Sequence, residues 1–168
     1  MVEWAMTSST HSIDLAPNRH DAITPLILQR MLAGFCLGID RYVLQCKHVH
    51  LRNSHDRLRL IAFPEKLDTN PHLHCFADLS DEYLGERRML PWERKLEDIW
   101  RSVAGQSASL AIDANPDDGK AWYSTKEAYR RDHYYLHSWD FHRSDKLVKR
   151  PSAACLQRTP ARRKPRTH

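Results

Sequence analysis

The stretch "RLRLIAFPEKLDTNPHLHCFADL", residues 57–79, has the pattern of a β-hairpin. Its first part alternates at the start, with Leu58 and Leu60 on one face, and then becomes apolar, which is typical of a strand. The turn-forming segment "KLDTNP" separates this part from "HLHCFADL", which predicts a second strand. Because side chains alternate along a strand, His72 and His74 are expected to lie together on one face.

A helix pattern precedes this hairpin. Thr24 and Pro25 form a helix start, in which a capping hydroxyl is followed by proline in the first turn. Gly34 and Gly38 lie one turn apart in the predicted helix, where they could let another element approach closely. Apolar residues recur at steps of three and four and form one helical face: Leu28, Leu32, Phe35, Ile39, Tyr42 and Cys46.

Helix and strand patterns continue after the hairpin. Pro91 opens a second helix that ends at Gly105, and "SASLAID" then predicts a third strand. The segment "KAWYSTKEAYRR" predicts a short helix, and "HYYLHSW" predicts a fourth strand. This order of elements predicts an α+β fold, in which helices pack on a mainly antiparallel sheet of about four strands. The buried face of the second helix is predicted at Trp92, Leu96, Ile99 and Val103.

The patterns divide the chain into three parts. Residues 1–20 show no clear period and are predicted to be irregular. Residues 21–142 hold all the predicted elements and are expected to form a single domain, which is long enough to bury a core. Residues 143–168 carry nine Lys or Arg and one Asp but few side chains to bury, so this basic tail is predicted to be disordered.

The positive charge of the protein is concentrated in that tail. The chain has a formal net charge of +5; the tail contributes +8, and residues 1–142 therefore carry −3. A basic tail attracts nucleic acid without reading its sequence. The charge alone is equally compatible with a solvated tail that only increases solubility.

Composition and cysteine use favour a cytoplasmic location. No run approaches the roughly 18 apolar residues of a membrane span, so no membrane partner is expected. The first residues, "MVEWAMTSST", lack a basic segment followed by an apolar one, so no secretory signal is predicted. The cysteines show no paired spacing, which favours free thiols in a reducing compartment: Cys36, Cys46, Cys75 and Cys155.

The strand face that carries His72 and His74 is a candidate metal site. The opposite face, beginning with Leu73, is the more apolar and should meet the core, so the histidines should face outward. Glu65 ends the partner strand just across the turn. Two imidazoles and a carboxylate with open positions left over can hold a divalent cation. The same pattern also fits two half-exposed histidines that bind nothing.

A second His-x-His pair offers an alternative site. Cys46, His48 and His50 could ligate zinc, although no fourth ligand is evident. Since no strand pattern surrounds these residues, we interpret them as the end of a helix and the start of a loop.

A candidate nucleophile lies in the helix after the third strand. Tyr123 and Lys126 are three residues apart and therefore share a helical face. A phenol is a weak nucleophile until nearby positive charge favours its ionised form, and the ammonium of Lys126 could supply that charge. On its own, this pair is more typical of a helix surface without a function.

The order of the motifs resembles that of the HUH endonucleases, specifically the Rep-type initiators of rolling-circle replication and small bacterial Rep-like proteins. Here "HLH" lies in a strand, a tryptophan-bearing helix ends in Ala-Gly, and a further strand precedes "WYSTKEA". The resemblance covers about residues 57–142. The residues that match the family motifs are His72 and His74 as metal ligands, Glu65 as the carboxylate before them, Tyr123 as the nucleophile and Lys126 as its companion.

The resemblance implies an enzyme that nicks and rejoins single-stranded DNA through a 5′-phosphotyrosine, with Mg²⁺ or Mn²⁺ as cofactor, in replication initiation of a plasmid, phage or transposon. The implied partner is single-stranded DNA or a hairpin origin. Arg130, Arg131 and the basic tail are the predicted phosphate contacts. No G-x-x-x-x-G-K-[ST] motif is present, so a host helicase would act in trans. The alternative is a Rep-like protein that binds nucleic acid without catalysis.

The chain departs from the family pattern at three places. No apolar strand with Thr or Ser is evident upstream of the histidine pair, and Ser124 stands where the family favours an apolar residue. The second catalytic tyrosine of some relatives is absent, since Tyr129 is six positions from Tyr123.

Aromatic residues surround the candidate nucleophile in sequence. We expect most of them to pack the sheet against its helices, although exposed members could stack on bases. They are Trp122, Tyr134, Tyr135 and Trp139.

Overall fold

Within the residues that the structure describes, a five-stranded antiparallel sheet and four α-helices form an α+β fold, as predicted. The structure is a computed structural model that describes residues 9–18, 23–49, 56–130 and 135–141, without the side chains of 127–130 and 141. The strands are β1 Thr10–Ala16, β2 Leu60–Glu65, β3 His72–Asp78, β4 Ser109–Asp113 and β5 Leu136–His137. The helices are α1 Pro25–Val43, α2 Asp81–Leu84, α3 Trp92–Ala104 and α4 Asp118–Arg130.

The predicted hairpin is confirmed. Strands β2 and β3 pair antiparallel, with Glu65 opposite His72 and Phe63 opposite His74. The alternation of faces is also as predicted, because Leu73 and Cys75, between and after the histidines, are completely buried on the core side. The hairpin therefore carries the candidate ligands on the face of the sheet away from the main core.

The prediction of an irregular N-terminus is wrong for residues 10–16. This segment forms β1, which lies in the interior of the sheet and pairs with both β3 and β4. Its sequence "THSIDLA" does alternate, but Ile13 and Leu15 are its only large aliphatic side chains, so the pattern is short and weak. Both are fully buried. Pairing with two neighbouring strands stabilises a segment whose own sequence signal is small.

The strand order is β4-β1-β3-β2-β5. The described sheet thus has one strand more than the predicted four or so, and the additional strand is β1. The third and fourth predicted strands correspond to β4 and to the two-residue β5. Sequence-adjacent strands pair in the hairpin, whereas β1 is inserted between elements that lie far from it in the chain.

One face of the sheet is covered by α1 and α3. The side-chain hydroxyl of Thr24 accepts a hydrogen bond from Ile27 N at 3.3 Å, which confirms the predicted start of α1. The two helices approach each other at Gly34 and Gly38, which confirms the role expected for these glycines. The main core on this face includes Leu28, Leu32, Phe35, Ile39, Leu96 and Trp100.

Helix α4 lies on the opposite face, over β2 and β3. Ala121 of α4 packs against a small apolar cluster of Phe63 and Phe76, which belong to the same sheet face as the histidines. The sheet is therefore enclosed between two helical layers, and α4 alone of the described helices lies on the face that carries His72 and His74.

Several predictions fall on residues outside the described part. These include the basic tail at 143–168, His50 of the alternative zinc set, Arg131 and Tyr134. In the part that the structure describes, no helix has the length and apolar character needed to cross a membrane.

Candidate metal and nucleophile site

Glu65, His72 and His74 converge on one point at the end of the hairpin. Oε2 of Glu65 lies 2.9 Å from Nε2 of His72 and 2.7 Å from Nε2 of His74. One ligand atom from each residue lies within 4.8 Å of the others, so the three residues could hold a metal ion. They are called here the metal group. The cross-strand register produces this convergence, because Glu65 is directly opposite His72 and His74 follows two residues later on the same face.

The charge state of Glu65 suits a metal ligand. Burial raises the pKa of this carboxyl, but hydrogen bonds from His74 and His72 and the positive charge of Lys126 outweigh burial and lower it overall. The side chain is only 4% exposed, so the carboxylate is buried in its ionised form among donors. A buried carboxylate surrounded by hydrogen-bond donors binds a cation strongly when the cation takes the place of the donated protons.

Asp14 is a functional candidate that the sequence analysis missed. Its Oδ1 accepts a hydrogen bond from Nδ1 of His74 at 2.8 Å, and the two residues are cross-strand partners in β1 and β3. This hydrogen bond raises the pKa of His74, although burial acts in the opposite direction, and the same bond lowers the pKa of Asp14. His74 is thus held between two carboxylates.

The reason for missing Asp14 is the missed strand. A carboxylate at position 14 has no relation to His74 until β1 is recognised and its register is known. The available signal was the alternation in "THSIDLA", which places Ser12 and Asp14 on the face opposite Ile13 and Leu15.

Tyr123 and Lys126 lie beside the metal group, on the same side of the sheet. The ring of Tyr123 meets that of His74 edge-on, with 5.9 Å between ring centroids. Nζ of Lys126 lies 3.2 Å from the centroid of the Tyr123 ring and 3.6 Å from Oε1 of Glu65. Hydrogen bonding to Tyr123 is the main cause that raises the pKa of Lys126, so the ammonium keeps its charge. Tyr123 is 47% exposed and accessible to a large substrate.

Three residues along one face of α4 contact neighbouring strands of the sheet. Lys120 pairs with Asp14 at 3.5 Å and with Asp113 of β4 at 3.3 Å. One turn later Tyr123 contacts His74, and a further turn brings Lys126 to Glu65. Residues three apart share a helical face, so the segment "KAWYSTK" places two cations and a phenol in one row over the sheet.

The alternative zinc set has no support within the described residues. Cys46 and His48 belong to no group of three metal-ligating side chains among these residues, and His50 lies outside them. The group of Glu65, His72 and His74 is the one such group found in the described part.

The predicted phosphate contacts stay a prediction. The side chain of Arg130 and all of Arg131 lie outside the described residues. The expectation that the nearby aromatic residues mostly pack inside is wrong for three of the four. Trp122 is 72% exposed, Tyr135 51% and Trp139 50%.

Comparison of the chain with protein-family models, with curated proteins and with solved structures found no match in any of the three.

Proposed function

We propose that this protein nicks and rejoins single-stranded DNA through a 5′-phosphotyrosine on Tyr123. The observation that carries the proposal is the shared location of two distinct chemical groups. A phenol with an ammonium on its ring lies in direct contact with His74, which belongs to a group of three metal-ligating side chains. Neither group alone indicates a reaction, but together they supply a nucleophile and a site for phosphate charge.

In the proposed reaction, Oη of Tyr123 attacks the scissile phosphorus. The bond from phosphorus to the 3′ oxygen breaks, the phenolic proton passes to solvent, and the departing 3′ oxygen takes up a proton. The 5′ phosphate stays on the tyrosine as a diester, so attack by a 3′-OH rejoins the strand without ATP. Lys126 stabilises negative charge on the phenolate and on the phosphate. The exposure of Tyr123 allows a nucleic-acid strand to reach it.

The residues present fit a divalent cation. Glu65, His72 and His74 would hold it, with Asp14 fixing the ring of His74. Two imidazole nitrogens and one carboxylate oxygen form a mixed donor set that suits Mn²⁺ better than Mg²⁺, which prefers oxygen ligands. A cation bound there would polarise a non-bridging oxygen of the phosphate.

The motif resemblance supports the same function. Under this proposal the protein is an HUH-type, Rep-like initiator that acts on single-stranded DNA or a hairpin origin of a mobile replicon, with a host helicase in trans. Strand β1 lies upstream of the histidine pair and carries Ser12 and Asp14 on the same sheet face, which supports the proposed resemblance. Arg130 and Arg131 are proposed as phosphate contacts.

The test uses labelled single-stranded oligonucleotides and a denaturing gel. Wild-type protein with Mn²⁺ is expected to form a covalent adduct that is lost in Tyr123→Phe, in His72→Ala and on addition of EDTA. Tyr42→Phe is the matched control, because this tyrosine lies on α1 at the other face of the sheet. Retarded mobility on a native gel without any adduct would instead favour the alternative, a nucleic-acid-binding protein without catalysis.

A further inference from the structure

We propose that the edge strand β5 and the turn after it form a base-stacking surface for single-stranded nucleic acid. The surface consists of Tyr135, His137 and Trp139 and is called here the aromatic edge. Its place next to a scissile phosphate rests on the function proposed for Tyr123, whereas its capacity to bind a single strand does not. The proposal concerns a binding surface and its ligand class, and it adds no step to the reaction.

The aromatic edge is held in place by the residues between its members. Leu136 is buried in the main core, and Ser138 is completely buried. The hydroxyl of Ser138 donates to Leu58 O at 2.8 Å and accepts from Leu60 N at 3.0 Å, so the turn is attached to the backbone of β2. Tyr135 and Trp139 are therefore exposed rings on an anchored segment.

The aromatic edge lies on the same face of the sheet as the metal group. His137 is the cross-strand partner of Ile61, and Ile61 packs against Phe63 on that face. The ring of Tyr135 lies 6.3 Å from that of Phe63, which in turn is directly opposite His74. A nucleic-acid strand that runs from Tyr123 toward β5 therefore meets the exposed ring of Tyr135.

Trp139 is oriented by His137. The two ring centroids lie 4.5 Å apart, and Trp139 N donates to Nδ1 of His137 at 3.1 Å. Burial lowers the pKa of His137, which favours the neutral imidazole that this hydrogen bond requires. The imidazole lies against the indole at an interplanar angle of 50°, and half of Trp139 remains accessible to solvent.

The chemistry of the aromatic edge favours unpaired bases as its ligand. Exposed rings on a rigid support bind the flat faces of bases, which are available in single strands and hidden in a duplex. Lys120 and Lys126 lie on the same sheet face, but each is paired with a carboxylate, so we expect stacking on the rings to supply most of the affinity. Trp122 is not assigned to this surface, because the helix turns about 100° per residue and Tyr123 already faces the sheet.

The test measures the affinity of the full-length chain for a fluorescent single-stranded oligonucleotide. All proteins carry Tyr123→Phe, so that no strand is cut. Tyr135→Leu and Trp139→Leu are each expected to weaken binding roughly 5- to 100-fold, as loss of one stacked base does. Tyr135→Phe and Trp139→Phe should restore most of the affinity. Leu26→Ala is the control, since this exposed side chain lies on α1 at the other face.

An oligonucleotide with abasic positions provides a second readout that misfolding cannot imitate. Removing the bases that stack on the aromatic edge should weaken binding of the parent protein. The same removal should cause little further loss in Tyr135→Leu or Trp139→Leu. Equal affinity of parent and leucine variants would overturn the proposed surface, even if wild-type protein forms the Tyr123 adduct. Stacking-dependent binding in a protein that never forms an adduct would support the surface while overturning the proposed nicking reaction.

Discussion

Asp14 accepts a hydrogen bond from Nδ1 of His74, with 2.8 Å between the two atoms. The contact joins the middle of β1 to the middle of β3, and cross-strand pairing fixes it. With its Nδ1 proton bound to Asp14, the imidazole presents Nε2 to Glu65 and to any cation that takes the place of the shared proton. A carboxylate that fixes the tautomer of a metal-ligating histidine also makes that histidine a better ligand.

Replacing Asp14 by asparagine should therefore weaken Mn²⁺ binding by about 10- to 100-fold, because the neutral amide no longer selects the tautomer with Nε2 free. Calorimetric titration of the apo protein with Mn²⁺ measures this directly. Asp113→Asn is the matched control, since Asp113 pairs with the same Lys120 but contacts no histidine in the described structure. Equal losses in the two variants would show that net charge, and not the contact with His74, sets the affinity.

Lys126→Gln should slow formation of the Tyr123 adduct by about 10²- to 10³-fold, because a charged donor is removed from the developing negative charge. Binding of the oligonucleotide should change little, since one cation among several phosphate contacts is lost. Single-turnover gels at saturating protein separate the two quantities. Lys95→Gln, on the exposed face of α3, is the control. A variant that binds weakly but reacts at the normal rate once saturated would assign Lys126 to binding alone.

The hairpin and its metal group could be predicted because the information is local. Alternation in "HLHCFADL" fixes the face of His72 and His74, and a short turn brings Glu65 back to them. The relation between Tyr123 and Lys126 is equally local, since it needs only the helical period. That the histidine pair and the Tyr123–Lys126 pair lie together depends on tertiary contacts. The sequence predicted this only through a motif order that resembles that of the HUH endonucleases.

The contacts that join distant segments could not be predicted in the same way. Asp14 reaches His74 through a strand with two large aliphatic residues, Ile13 and Leu15, which is too few for a clear strand signal. The exposure of Tyr135 and Trp139 depends on Ser138 bonding to the backbone of β2, a contact over about 80 residues. Because large aromatic side chains are usually buried, the sequence alone predicted that Tyr135 and Trp139 would be buried.

The contact between α1 and α3 gives a prediction for Gly38. A Cβ at this position would lie 2.5 Å from Cγ2 of Ile99, a stiff β-branched side chain that cannot easily move away. Gly38→Ala should therefore lower the free energy of unfolding by about 1–3 kcal/mol, despite the higher helix propensity of alanine. Urea denaturation measures the change.

Two further variants test the cause of that loss. Gly119→Ala in α4 is the control, because its nearest neighbouring atom would be at an ordinary 3.4 Å. In a double-mutant cycle, Ile99→Ala should cost less stability in the Gly38→Ala background than in wild type, because there it also removes the clash. If Gly38→Ala is as stable as wild type, the two helices are not as closely packed as described.

Stability should fall in alkaline solution because of buried thiols. Cys36 and Cys75 are completely buried, and burial is the main cause that raises the pKa of each. The unfolded chain loses these protons from about pH 8.5 upward while the folded chain keeps them. The unfolded state then binds fewer protons, so the free energy of unfolding decreases with rising pH, by up to about 1.4 kcal/mol per pH unit for each thiol.

The pH slope of the free energy of unfolding distinguishes this cause from general alkaline damage. Urea denaturation between pH 8 and pH 10, with a reductant present, should show a shallower slope in Cys75→Ala than in wild type, even if the variant is less stable at every pH. Cys46→Ala, which removes a partly exposed thiol instead of a buried one, is the matched control. The phenol of Tyr83, a partly buried residue, adds to the wild-type slope nearer pH 10, since desolvation and Asp40 both raise its pKa. Identical slopes in wild type and Cys75→Ala would mean that the Cys75 thiol ionises as readily in the folded chain as in the unfolded one.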